Sequence, residues 1–188
     1  MILLAVLILA VATVPLAGGR LRALGDIELR WAWTIMVAIG LQVLIISVFP
    51  DRFDALHEPV HVLSYAFAGA FLVANIRLPG VPLIAAGALC NLVAIVANGG
   101  VMPASPAAQQ AAGLVQKEGF VNSGVVEDPK LLFLGDIFAI PDSVPLLDNV
   151  FSIGDVLIAL GAFLFVHGMC GSRLIPRWAG RRSVPSTV

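Results

Sequence analysis

Asp155 stands in "NVFSIGDVLIALGAFLFVHGM", residues 149 to 169, an otherwise apolar stretch long enough to cross a bilayer. A carboxylate at the centre of a membrane helix costs about 2.5–3.5 kcal/mol, so it needs a compensating partner or a task. A second acid, Asp136, sits in a similarly apolar stretch, "LLFLGDIFAIP". Two carboxylates brought together can share one proton, one activating water while the other donates, which is the chemistry of an aspartyl hydrolase. The same pair can instead bind a cation or satisfy separate backbone donors. Asp155 and Asp136 are therefore the candidate catalytic residues.

"HEPVH", His57 to His61, has the literal H-E-x-x-H spacing. That pattern binds zinc when both histidines stand one helical turn apart. Pro59 lies inside it, and proline disfavours helix at the residue before it. The helix is expected to open at Pro59, leaving His57 outside, so no metal site is assigned. His61 remains as an acid, a base or a hydrogen-bond donor. Cys90 and Cys170 lie far apart beside apolar runs and read as small buried hydrophobes.

These groups must be positioned by helices. The 188 residues are 59% hydrophobic and 12% charged, with mean hydropathy +0.97. That is about half the usual charged fraction of a soluble domain. A net charge of −1 speaks against a nucleic-acid partner. The expected fold is an all-α integral membrane bundle of five transmembrane helices, over about 1–17, 31–49, 60–76, 81–101 and 150–170. Residues 1–172 form one transmembrane domain and 173–188 a basic inner tail. The first run lacks a basic leader, with Arg20 and Arg22 following it, which reads as a retained helix with its N-terminus outside. Eight arginines then fall inside and three basic residues (Arg52, Lys117 and Lys130) outside, with the C-terminus inside. The expected setting is a bacterial inner membrane.

The long outer loop, 103–149, is expected to hold a short helix, capped by Ser105 and opened by Pro106. Its apolar stretch around Asp136 should be re-entrant or interfacial. Small and polar residues share helix faces: Gly87, Asn91, Ala94 and Asn98; Ser152, Asp155, Ala159 and Ala162; His61, Ser64 and Ala68. Such stripes let membrane helices approach closely and bond across. Gln42 reads as a helix-to-helix hydrogen bond and His167 as an interfacial side chain. The topology gathers His61, Ser64, Tyr65, Asn91, Asn98, Gly99, Gly100, Ser152 and Asp155 at the outer surface, as a candidate pocket. The adjacent glycines there can turn the backbone and present N–H groups to a ligand.

"NGGVMP", "FLGDIFAIP" and "FSIGDVLIALG", with "HVLSYAF", together resemble a family of small bacterial membrane proteins known only as a domain of unknown function. That resemblance covers about residues 55 to 165 and implies an integral membrane protein without an assigned activity. "VFSIGDVLIALG" is also similar to the helix-opening phrase of lipoprotein signal peptidase, which implies a catalytic aspartate at Asp155. The asparagine of that phrase is Ser152 here, and the family's G-N-x-x-D-R motif has no counterpart.

The leading expectation is a non-enzymatic membrane protein whose outward polar pocket binds a partner, a lipid or a cation, and which serves as an accessory subunit of a membrane complex. No cofactor is called for, and the expected partners are the lipid bilayer and other membrane subunits. An aspartyl hydrolase using Asp136 and Asp155 is the alternative, and a small transporter is third.

Overall fold

A computed structural model describes residues 2–44, 54–114, 123–141, 143 and 149–175, with side chains in the third helix from Pro59 onward. Six helices follow in order: α1 (Ile2–Leu16), α2 (Ala32–Val43), α3 (Asp54–Ala74), α4 (Val81–Ala97), α5 (Pro106–Ala111) and α6 (Ile153–Met169). Short 3₁₀ helices form at Leu21–Leu24 and Leu132–Leu134. Four short strands complete the described chain: β1 (Met102–Pro103), β2 (Ser123–Gly124), β3 (Phe138–Ile140) and β4 (Asn149–Phe151).

Each long helix stops where its sequence dictates. After α1, Gly18 adopts φ +72 and Gly19 donates its N–H back to the Val14 carbonyl at 2.9 Å. Gly80, at φ +76, precedes Val81 and Pro82, so α4 opens with proline in its first turn. Asn98, Gly99 and Gly100 close α4, with Gly100 N–H bonded to the Ile95 carbonyl at 2.9 Å. Ser152 caps α6, and Gly171, at φ +64, follows its end.

These stops overturn the expected five-span bundle. Among the described residues no helix is long and apolar enough to cross a membrane. α4 and α6 have 17 residues each, and α1 has 15. At about 1.5 Å per residue, these lengths fall short of a hydrocarbon core about 30 Å thick. α3 reaches 21 residues but carries Asp54, His57, Glu58, His61 and Ser64. The inside–outside orientation assigned to the five spans falls with them. The purely α class is also corrected to mostly helical, because β1 pairs with β2 in parallel and β3 with β4 in antiparallel fashion. The stretch around Asp136, expected to be re-entrant or interfacial, forms the Leu132–Leu134 turn followed by β3. α5 does start at Pro106, with Ser105 at its N-cap position.

α3 begins at Asp54 and contains Pro59, so the expected start at Pro59 was too late. A proline this close to a helix start removes few intrahelical bonds. The side chains of His57 and Glu58, residues 45–49 of the expected second span, parts of the expected outer loop, and the expected tail beyond 175 lie outside the described residues.

α6 is the centre of the packing, with α4 on one flank and α1 on another. Against α4 it runs antiparallel at glycine distance: Gly80 meets Gly161, and seven residues on Gly87 meets Gly154. A Cβ at Gly87 would land on the Gly154 carbonyl oxygen, and one at Gly161 would lie 2.7 Å from the Gly80 oxygen and 2.6 Å from Ile84 Cγ1. Of the small faces read from the sequence, Gly87 on α4 lies in this seam, whereas α6 brings Gly154 and Gly161 to it rather than the face of Ala159 and Ala162. Against α1, α6 buries Val166 and Cys170 on Ala10 and Val14.

His167 belongs to this second seam. It is fully buried, not interfacial, and its ring stacks on Phe163 with centroids 4.2 Å apart. Nε2 lies 3.1 Å from Thr13 Oγ1 and Nδ1 lies 2.9 Å from Ser172 Oγ. The Thr13 hydroxyl already donates to the Leu9 carbonyl at 2.7 Å, so it accepts from the ring. The network therefore selects the neutral tautomer protonated at Nε2, with Ser172 donating to Nδ1. Gln42 fills its expected role, donating from α2 to Ser64 Oγ on α3 at 3.1 Å.

Candidate functional site

The cap of α6 is the core of the site. Ser152 Oγ accepts from Asp155 N–H at 3.0 Å, and Asp155 Oδ2 accepts from Ser152 N–H at 3.0 Å. This capping box satisfies two of the donors that every helix start leaves open. Asn91, one helix away on α4, closes the ring. Its Oδ1 accepts from Ser152 Oγ–H at 2.9 Å, and its Nδ2 donates to Asp155 Oδ1 at 3.0 Å. Gly154 makes this possible, because any side chain there would strike Asn91 Oδ1. Ser152→Ala should cost about 1 kcal/mol as a lost cap, and more because Asn91 Oδ1 loses its donor; a thermal-unfolding midpoint reads this directly.

Asp136 reaches the same neighbourhood by backbone pairing. Its N–H donates to the Pro103 carbonyl at 2.9 Å, and its carbonyl accepts from Ser105 N–H at 3.0 Å. Gly135 permits this, since a Cβ there would collide with the Pro103 oxygen. Asp136 is 5% exposed, and its carboxylate accepts a short hydrogen bond from Ser123 Oγ on β2. Burial pushes its carboxyl up to about 6; the Ser123 bond opposes this, and the charge of Asp155 adds to it. The charge of Asp155 thus reaches Asp136, while no hydrogen bond joins the two carboxyls among the described residues. Tyr65 on α3 feels both carboxylates. His61, fully buried, stands edge-on to the Tyr65 ring at 5.3 Å.

The other candidates divide. Ser64 is fully buried and donates to the His61 carbonyl at 2.6 Å. Asn98 clasps the loop, donating to the Lys130 carbonyl and accepting from Lys130 N–H, both at 2.8 Å. Gly99 and Gly100 take φ of +66 and +92 and form the turn after α4. The structure thus joins Asn91, Ser152 and Asp155 directly, sets Asp136 and Tyr65 within their electrostatic reach, and gives Ser64, Asn98 and the glycines local structural contacts.

Three participants went unread. Ser123 lies in the expected outer loop, and no pattern marks it as the partner of Asp136. Asn75 holds the approach to α2, accepting from Arg30 N–H at 3.0 Å and donating to the Arg30 carbonyl at 2.8 Å. Its signal was a polar amide at the end of an apolar run. The Thr13–His167–Ser172 chain was the third, its members being 154 and 5 residues apart.

The described chain holds no group of three or more His, Cys, Asp or Glu side chains able to hold a metal ion. What the fold and site define is a mostly helical, glycine-packed protein with an asparagine-braced carboxylate at a helix start and a second, buried carboxyl beside it. The chain belongs to the family described as "Family of unknown function (DUF5317)", whose model matches residues 26–167. Neither the comparison with curated proteins nor that with solved structures found a match.

Proposed function

We propose that this chain is a non-enzymatic, membrane-associated accessory protein, with the start of α6 braced on α4 by the Asn91–Ser152–Asp155 joint and the loop folded around Asp136. The observation that carries the non-enzymatic reading is the use of Asp155. Both carboxylate oxygens are bonded, one to Asn91 and one to the Ser152 backbone. As a brace on the helix start, this carboxylate has a structural use that accounts for an acid at this place in the sequence.

Membrane association is supported by the exterior of the helices. Ile8 is 60% exposed, Met36 64%, Leu89 60% and Leu160 53%. Exposed apolar residues recur one turn apart along single helices, as with Leu4 and Ile8 on α1, Leu89, Val93 and Val96 on α4, and Val156 and Leu160 on α6, and such stripes suit contact with a protein partner or lipid. The tests are direct. The protein should remain with membranes through an alkaline carbonate wash and co-purify with a defined membrane complex. Asp136→Asn and Asp155→Asn should disturb that assembly. Release into the supernatant would sink the membrane reading, and isolation as a lone, monodisperse species would sink the accessory role.

The electrostatic coupling of Asp136 and Asp155 favours the aspartyl hydrolase as second reading. It predicts a peptidase turnover that Asp136→Asn, which keeps the shape of its site, abolishes.

A further inference from the structure

The arginines of the described chain collect at the end of the molecule away from the carboxylate site. Arg20 N–H donates to the Cys170 carbonyl at 2.9 Å, and Arg173 N–H donates to the Ala17 carbonyl at 3.0 Å. These two backbone bonds fasten the ends of α1 and α6 together and set Arg20 and Arg173 side by side. Arg22 lies in the 3₁₀ helix that packs on α6. Arg30 is clasped by Asn75, two residues before Arg77, in the connection from α3 to α4. That connection ends at Gly80, which packs on Gly161 and Phe165 in the second half of α6. All five arginine side chains are exposed. Asp26 and Glu28 are the acids among them, so this end carries a surplus of positive charge. At the opposite end the described charged residues are Glu127, Asp128, Asp136, Asp155 and the single cation Lys130.

The basic end is also apolar. Leu16 is 86% exposed, Trp31 56% and Leu174 59%, each within five residues of an arginine. Cations interleaved with exposed leucine and tryptophan match an interface where phosphate lies beside hydrocarbon. A nucleic-acid phosphate would match the charge and leave the leucines without a counterpart.

We infer that the arginine-bearing end of the α1–α6 pair docks on anionic phospholipid headgroups, with Leu16, Trp31 and Leu174 entering the acyl boundary. This rests on the membrane association proposed above and names the lipid chemistry at one end of the molecule. Each arginine near an anionic surface contributes roughly a fivefold gain in partitioning.

The test is flotation of the full chain with vesicles of phosphatidylcholine alone and of phosphatidylcholine doped with phosphatidylglycerol, at low and high salt. Partitioning into the doped vesicles should exceed that into neutral ones by on the order of a hundredfold, and the excess should shrink with salt. The triple variant Arg20→Ala/Arg22→Ala/Arg173→Ala should lose most of the excess and keep its partitioning into neutral vesicles. Its two clasping bonds use backbone atoms, and an unchanged circular-dichroism spectrum confirms the fold. Lys130→Ala, at the far end, should keep the excess.

Equal partitioning of the wild type into both vesicles would overturn this inference and leave membrane association standing. Partitioning into neither would overturn both. An equal loss in Lys130→Ala, or equally tight binding of a single-stranded oligonucleotide, would also overturn it.

Discussion

Gly80→Ala should lower the thermal-unfolding midpoint by about 6–12 °C. Gly80 sits at φ +76, a conformation that costs an L-residue about 1–2 kcal/mol. Its new methyl would also land on the Gly161 carbonyl oxygen and lie 2.7 Å from Phe165 N. Both obstacles are backbone, which cannot swing aside as a side chain would. Overpacking of this kind adds about 1–3 kcal/mol, for a total near 3 kcal/mol, and a chain this long shifts about 2–4 °C per kcal/mol. Gly161→Ala meets the same seam from the other side and should behave alike. Gly40→Ala is the control: nothing lies within 4 Å of its added Cβ, so relief of glycine's helix penalty should leave α2 neutral or up to about 1 kcal/mol more stable. If all three variants melted together, α4 and α6 would not be in backbone contact.

The second large effect depends on pH. Asp136 titrates near 3.8 in an unfolded chain and is pushed up to about 6 in the fold. A raised carboxyl favours the protonated folded state, so its ionisation costs stability above about pH 6, and that cost disappears as pH falls toward 3.8. Two pH units correspond to about 3 kcal/mol. Wild type should therefore gain stability on acidification across this window, as far as this one group governs it. Asp136→Asn keeps the shape and a polar partner for Ser123 while removing the charge. It should be the more stable protein at pH 7.5 and show no such gain on acidification. Subtracting the two unfolding curves isolates Asp136 from His61 and His167, whose burial disfavours their charged forms and opposes the trend. A difference curve that is flat between pH 4 and pH 7.5 would show that Asp136 is not desolvated.

Local pattern carried much of this site. The spacing of Gly87, Asn91, Ala94 and Asn98 put one face of α4 on view, and that of Ser152 and Asp155 did so for the start of α6. The ring joining Asn91 to Ser152 and Asp155 lies where those faces meet. Chain direction and seam identity lay beyond the sequence. Periodicity names a helix face without naming its mate, so the pairing of Gly80 with Gly161 was invisible. His167 was misread for the same reason: its partners come from α1 and from the turn after α6. Hydropathy over-extended the fourth helix, expected to reach 101, because apolar residues resume at Val101 while the backbone turns away at Gly99–Gly100. Strands of two or three residues are too short for alternation to register, and β1 to β4 passed unread. Pro59 was over-weighted as a helix breaker, for in the second turn of α3 it is tolerated.

The position of α6 has a consequence for how the chain is made. α1, which precedes the other described elements in chain order, packs chiefly on α6, which emerges some 137 residues after α1 ends (Leu16 to Ile153). Until then Ala10 and Val14 have no mate, and the glycine faces of α4 stand open. Contacts this far apart in sequence are slow to form, so this seam is expected to close late, with apolar surface open to aggregation until α6 is in place.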